Sequence, residues 1–265
     1  MHSARDLHTA SYKDNLFQAL SPPTLKEFLN ADGGELTGSP CKMQALHSSS
    51  ALCVNVFDYW RSRSSSSSAF WTELAKSLEI PSKQISNLSF EAQLAHGGNH
   101  KKKIFPRKPN LDALIQYNKH PTITAVGIES KFTEAYYAKP KGLKDAYIKE
   151  SSLWTDLPKL KMLAQEISPQ DQLHRHLHGA QLIKHILALK HNYDKRFRLL
   201  YLWYDVLGPE GHKHRKEITQ FARIAKQDNV IVQFRSYQEL LLSFKEKPGD
   251  LKHQAYLKYM WERYV

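Results

Sequence analysis

At 265 residues, 41% hydrophobic and 11% aromatic, the chain is long and apolar enough to bury one sizeable α/β core, so disorder is confined to short stretches. Its 38 Lys and Arg against 26 Asp and Glu leave a formal charge of +12, which points to a polyanionic partner, nucleic acid ahead of an anionic membrane surface. It has no apolar run of the roughly 18 residues that mark a membrane span, no signal-peptide core at its N-terminus and only Cys41 and Cys53, so a cytoplasmic protein with reduced thiols is expected.

Residues 1–45 read as an N-terminal arm. They hold an amphipathic segment from Tyr12 to Leu20, a helix start at Pro22-Pro23 and the turn-like Ala31-Asp32-Gly33-Gly34, suited to a lid, a dimer contact or a DNA-facing extension. Residues 46–265 read as one domain. A helix is expected from Ser48 to Trp60, with Leu52, Val56 and Tyr59 on one stripe; the serine run Ser64 to Ser68 is a linker, and a short helix follows from Ala69 to Leu78. The first strand is Leu88 to Leu94, with Leu88, Phe90, Ala92 and Leu94 on its apolar face and Glu91 on the other, as a solvated residue or a third acidic ligand.

Next comes a loop with Lys101, Lys102, Lys103, Arg107 and Lys108 and no acid, placed to track a phosphate backbone. Two apolar runs follow, Leu111 to Ile115 and Ile123 to Ile128, separated by Asn118-Lys119-His120-Pro121; they read as a β-hairpin. Side chains alternate along a strand, so Glu129 and Lys131 share a face and Ser130 takes the other. Asp112 falls opposite residue 127, or opposite Glu129 if the turn shifts. Two carboxylates and an ammonium thus converge at the open end of the hairpin. Mg²⁺ favours hard oxygen ligands and is commonly held by one or two carboxylates plus substrate phosphate oxygens, so Asp112 and Glu129 are candidate metal ligands and Lys131 a candidate to orient the attacking water. Gly127 and Ala125 on the same face are expected to leave room beside Glu129.

Beyond Lys131, the segment with Tyr136, Tyr137, Lys139, Lys141 and Lys144 suits phosphate contact and base stacking. Helical patterns run from Leu157 to Glu166 and from Asp171 to Lys190; the second would place His174, His178, Gln181 and His185 on one face, where a packed helix is favoured over a zinc site for want of further ligands. Gly211 to Lys216 reads as a basic loop or helix start. Strands at Arg198 to Val206 and Val230 to Phe234, joined by a helix from Glu217 to Lys226, form a parallel pair with a right-handed crossover. A last amphipathic helix runs from Leu251 to Tyr264.

Pro109, Asp112 and Glu129-Ser130-Lys131, in this order and setting, resemble the PD-(D/E)XK nuclease superfamily. Phe132-Thr133-Glu134 and Gln172-Leu173-His174-Arg175 look like a bacterial restriction-endonuclease-like branch of it. The match covers roughly residues 47 to 245 and departs from the pattern at Asn110, which stands between Pro109 and the matched Asp. The resemblance implies a restriction-endonuclease-like α/β core, a mixed central β-sheet flanked by helices. It also implies a Mg²⁺-dependent endodeoxyribonuclease of restriction or defence type that accepts Mn²⁺ and is impaired by Ca²⁺. Catalytic candidates are Asp112, Glu129, Lys131, Glu91 and Gln172, with Asp112, Glu129 and Glu91 as metal ligands. Lys139, Lys141 and Arg175 join the basic loop in holding DNA. The resemblance places an extra acid on the helix before the sheet, where Asn55 and Asp58 are available. A homodimer is the expected assembly, since two strands must be cut. The alternatives are a non-cleaving DNA-binding or assembly module with this fold, and a nuclease acting on RNA or in repair.

Overall fold

The fold is described from a computed structural model, for residues 7–64, 69–94, 105, 108–245 and 250–265. Five strands form one sheet in chain order: β1 (Ile85–Gln93), β2 (Asn110–Tyr117), β3 (Ala125–Lys131), β4 (Phe197–Trp203) and β5 (Val232–Ser236). β1, β2 and β3 pair antiparallel, while β3, β4 and β5 pair parallel. The hairpin and the parallel pair expected from the sequence are therefore joined along β3 into the mixed sheet of a restriction-endonuclease-like α/β domain.

Nine helices flank the sheet among the described residues: α1 (Pro22–Asn30), α2 (Ser49–Ser64), α3 (Ala69–Ser77), α4 (Asp145–Lys149), α5 (Pro158–Glu166), α6 (Gly179–Tyr193), α7 (Pro209–Gln227), α8 (Tyr237–Lys245) and α9 (Leu251–Tyr264). Strand alternation divides the core into two layers. Val126, Ile128, Leu200 and Leu202 pack with Leu52, Val56, Tyr237 and Tyr256 on one side. Ala125, Leu199 and Tyr201 pack with Leu160, Ile183, Leu189 and Phe221 on the other. Because β3 is central and covered on both faces, every residue in it is buried. None of the described helices is long and apolar enough to cross a membrane.

The segment before α2 packs into the first layer through Leu16, Phe28, Cys41 and Met43. Asn15 donates to the carbonyls of Met43 and Ala45 at 2.8 and 2.7 Å, and Asn55 on α2 accepts the Phe17 amide at 2.8 Å. Asp58 accepts the Ser21 amide at 2.9 Å and pairs with Arg61 at 3.5 Å. Asn55 and Asp58, the sequence's candidates for an extra acidic position, are thus taken up in fixing the N-terminal segment.

The helical reading of Asp171 to Lys190 holds only from Gly179 onward. Side chains capture the preceding amides: Asp171 accepts the N–H groups of Leu173 and His174 at 3.0 and 2.9 Å, and Glu217 on α7 accepts those of Arg175, His176 and Leu177 at 2.7, 2.9 and 2.8 Å. Amides held by carboxylates cannot donate along a helix, so residues 171–178 form a strap. His174 and His178 therefore do not share a helical face with Gln181 and His185. On α7, in contrast, the helix begins at Pro209 and includes His212 and His214, extending the run expected from Glu217.

Candidate active site

The β1–β2 register pairs Phe90 with Ala113 and Ala92 with Leu111, so Glu91 stands level with Asp112. The β2–β3 register pairs Ala113 with Ile128, and one step further sets Asp112 level with Glu129, the shifted-turn alternative of the sequence reading. Three acids therefore occupy one level across three adjacent strands. Their carboxylates do not all converge. Asp112 reaches across to β3, where Oδ2 accepts the Ser130 amide at 2.6 Å. Glu91 has φ +48° and turns to Asn110, whose side chain donates to it; a Cβ on Gly33 would lie 2.9 Å from Glu91 Oε2. Glu91 thus faces the N-terminal segment.

Glu129 and Lys131 share the face toward α6. Ser130 points the other way, its hydroxyl 2.6 Å from the Tyr237 hydroxyl. Glu129 is fully buried, which is unfavourable for a carboxylate unless it is paired. Lys131 Nζ lies 2.6 Å from Oε1, and the imidazole Nε2 of His185 on α6 lies 2.7 Å from Oε2. Oε1 accepts no hydrogen bond of good geometry despite the close ammonium. Glu134 stands 3.9 Å from Lys131 on its other side.

Burial raises the Asp112 pKa well above the usual carboxylate range, and the charge of Glu129 adds to this against Lys131 and the Ser130 amide. Burial also opposes ionisation of Glu129, but Lys131 and His185 outweigh it and hold that carboxyl at about 2. The pair is asymmetric: its surroundings favour the charged form at Glu129 and disfavour it at Asp112. Glu129 likewise holds the Lys131 ammonium firmly charged, against burial.

Two carboxylates on neighbouring strands are the ligand type that a hard divalent cation favours, and Glu129 Oε1 already faces a cation, the Lys131 ammonium 2.6 Å away. Among the described residues no three His, Cys, Asp or Glu side chains form a metal-ligand group. The room expected beside Glu129 is filled. A Cβ on Gly127 would stand 2.8 Å from Leu189 Cδ1 and 3.0 Å from Leu111 Cδ1, so this glycine admits α6 to close contact.

Gln172 and Arg175 lie exposed on the strap, away from a helix. With Lys139, Lys141 and Lys144 they line a cleft of about 880 Å³, whose wall includes none of Asp112, Glu129 and Lys131. The strap adjoins the acids through His178, hydrogen-bonded to Ala138; burial lowers its pKa, helped by Lys131 and opposed by Glu129. Tyr136 is half-buried, donating to the Tyr204 carbonyl at 2.9 Å, whereas Tyr137 is 80% exposed. Lys108 is exposed; Lys101, Lys102, Lys103 and Arg107 lie outside the described residues. Sequence reasoning placed His185 only in a histidine stripe and missed its contact with Glu129. The available signal was its spacing from Leu189, one helical turn, which becomes informative once Leu189 is known to sit on Gly127.

No curated protein and no solved structure matches this chain. The family model described as Restriction Endonuclease associating with ARP matches residues 2–265, and the chain belongs to that family.

Proposed function

We propose that the chain is a Mg²⁺-dependent endodeoxyribonuclease of the PD-(D/E)XK kind, acting in restriction or defence. The observation that carries this reading is the level placement of Asp112 and Glu129 on adjacent strands, with Lys131 Nζ 2.6 Å from Glu129. Asp112 and Glu129 would hold the cation, which supplies polarisation of the scissile phosphate and acidification of water when bound. Lys131 has both ion-pair partners on its own segment, Glu129 and Glu134, and is held ready to orient the attacking water and to offset charge building on the phosphate. The Ser130 amide fixes Asp112, so that carboxylate is set by a strand's backbone, and Glu129 is set by the side chains of Lys131 and His185. Lys139, Lys141 and Arg175 would hold the DNA backbone, and association with ARP, which the family description names, belongs to the same reading.

The decisive experiment incubates wild type and Glu129→Ala with plasmid, single-stranded DNA and RNA, with and without Mg²⁺. DNA cleavage that requires metal and Glu129 is expected. Asp112→Ala and Lys131→Ala should each lower the rate by about 10²-fold or more. Lys131→Ala also removes a partner of the buried Glu129, so its melting temperature should fall, and its rate is compared at a temperature where it remains folded. Salt-sensitive DNA binding with no cleavage of any substrate would replace this reading with a binding module, and cleavage of RNA alone would change the substrate.

A further inference from the structure

His185 lies in α6 at 2% exposure, and its close polar contact among the described residues is Nε2 to Glu129 Oε2 at 2.7 Å. Its other ring nitrogen, Nδ1, is buried with no hydrogen-bond partner among the described residues. An ionised carboxylate can only accept, so the proton of this contact is carried by Nε2 and donated to Glu129. That donation occupies Oε2, so a bound cation would meet Glu129 at Oε1, the oxygen it would share with the Lys131 ammonium 2.6 Å away.

The reach of the imidazole follows from packing. Leu189 sits against Gly127, where any larger residue would displace it. α6 and β3 run antiparallel here, so one turn back along the helix, about 6 Å, matches two residues forward along the strand, about 6.6 Å. Residue 185 is thereby delivered over residue 129.

We propose that His185 is a positioning residue that fixes the rotation of the Glu129 carboxylate, so that Oε1 is presented to the cation with no loss of freedom on binding. The proposal rests on the metal-binding reading of Asp112 and Glu129. It differs from a plain core role, in which the imidazole merely satisfies a buried acid, because it requires a specific donor at the Nε2 position.

The test measures Mn²⁺ binding to the full chain by electron paramagnetic resonance, without DNA, alongside thermal melting. Glutamine places an amide nitrogen near the Nε2 position, whereas asparagine falls short and leucine has no donor. His185→Gln should bind Mn²⁺ like wild type, and His185→Asn and His185→Leu should bind about 10- to 100-fold more weakly, the range for loss of an outer-shell partner. If His185→Leu does not fold, the Asn and Gln pair still gives the comparison. Equal Mn²⁺ affinity in wild type and His185→Asn would overturn the positioning role while leaving the metal site intact. Wild-type binding that is unaffected by Glu129→Gln would overturn the metal-binding reading itself, and the role of His185 with it.

Discussion

The acids at one level of the sheet differ in environment, and the difference has a measurable consequence at Glu91. Burial, opposed by the Asn110 hydrogen bond and aided by the charges of Glu35 and Glu129, raises the Glu91 pKa from 4.5 to about 7. The folded state therefore holds this proton more tightly than the unfolded chain does. Its stabilising effect is complete below pH 4.5 and is lost as the pH rises toward 7, a change of about 3 kcal/mol at most. Glu91→Gln keeps an acceptor for Asn110 and removes the ionisation. It should raise unfolding stability at pH 8 and leave it unchanged at pH 4, measured by urea titration at both values. Because the Glu91 carboxylate turns toward Asn110, adding Mg²⁺ at pH 8 should not reverse that order. A metal-dependent stabilisation present in wild type and absent in Glu91→Gln would return Glu91 to the ligand set. Strand alternation made the opposed directions of Ser130 and Glu129 legible in the sequence. The direction of Glu91 was not, since a positive φ at one residue breaks the alternation that the apolar pattern implied.

Among the elements, the strap at residues 171–178 departs most from what periodicity suggested, and one distant carboxylate accounts for much of it. Glu217, 8% exposed, accepts three successive amides, and no local pattern around Arg175 signals a partner that lies 40 or more positions away. Glu217→Ala would strand those donors, and at about 1–3 kcal/mol for each buried group left unpaired the loss is several kcal/mol unless water enters. We expect a lowered melting temperature and new proteolytic cleavage within 171–178, with α6 itself retained; unchanged protease resistance would show that the strap is fixed by other contacts. The strands and the last helix were legible because each is governed by nearby residues: Asp250 caps α9 by accepting the His253 amide at 2.8 Å, just before the Leu251 start that the sequence indicated. Where a side chain from another element captures the backbone or sets the approach of a helix, as at Glu217 and Gly127, single-sequence patterns carry no trace of it.

For the molecule as a whole, the formal charge of +12 understates how basic the exterior is. Among the described residues the protein buries six acids, Asp58, Glu91, Glu129, Asp171, Glu217 and Asp228, but only one Lys or Arg, Lys131. These acids are engaged inside: Asp228, for example, accepts the amides of Lys159 and Leu160 at 3.1 and 2.7 Å. The exposed shell therefore carries more uncompensated cations than a uniform distribution would leave, which favours long-range attraction of a polyanion. The cleft wall concentrates that charge on a firm scaffold. Gly142 donates to the Pro169 carbonyl at 3.2 Å, Leu143 to the Ser168 hydroxyl at 2.9 Å, and a Cβ on Gly142 would lie 2.2 Å from the Ile167 carbonyl oxygen. If the cleft holds a phosphate backbone, replacing Lys139, Lys141 and Arg175 together by Gln removes up to three phosphate contacts. The slope of log affinity against log salt should then fall by about 2–3, since each contact contributes about 0.9. Lys252→Gln with Lys258→Gln, exposed on α9 in the other layer, removes two charges of the same sign as a control for net charge. A slope that falls in the triple variant and holds in the control places the backbone along the cleft, whereas equal slopes in the triple variant and wild type would exclude the cleft as its path.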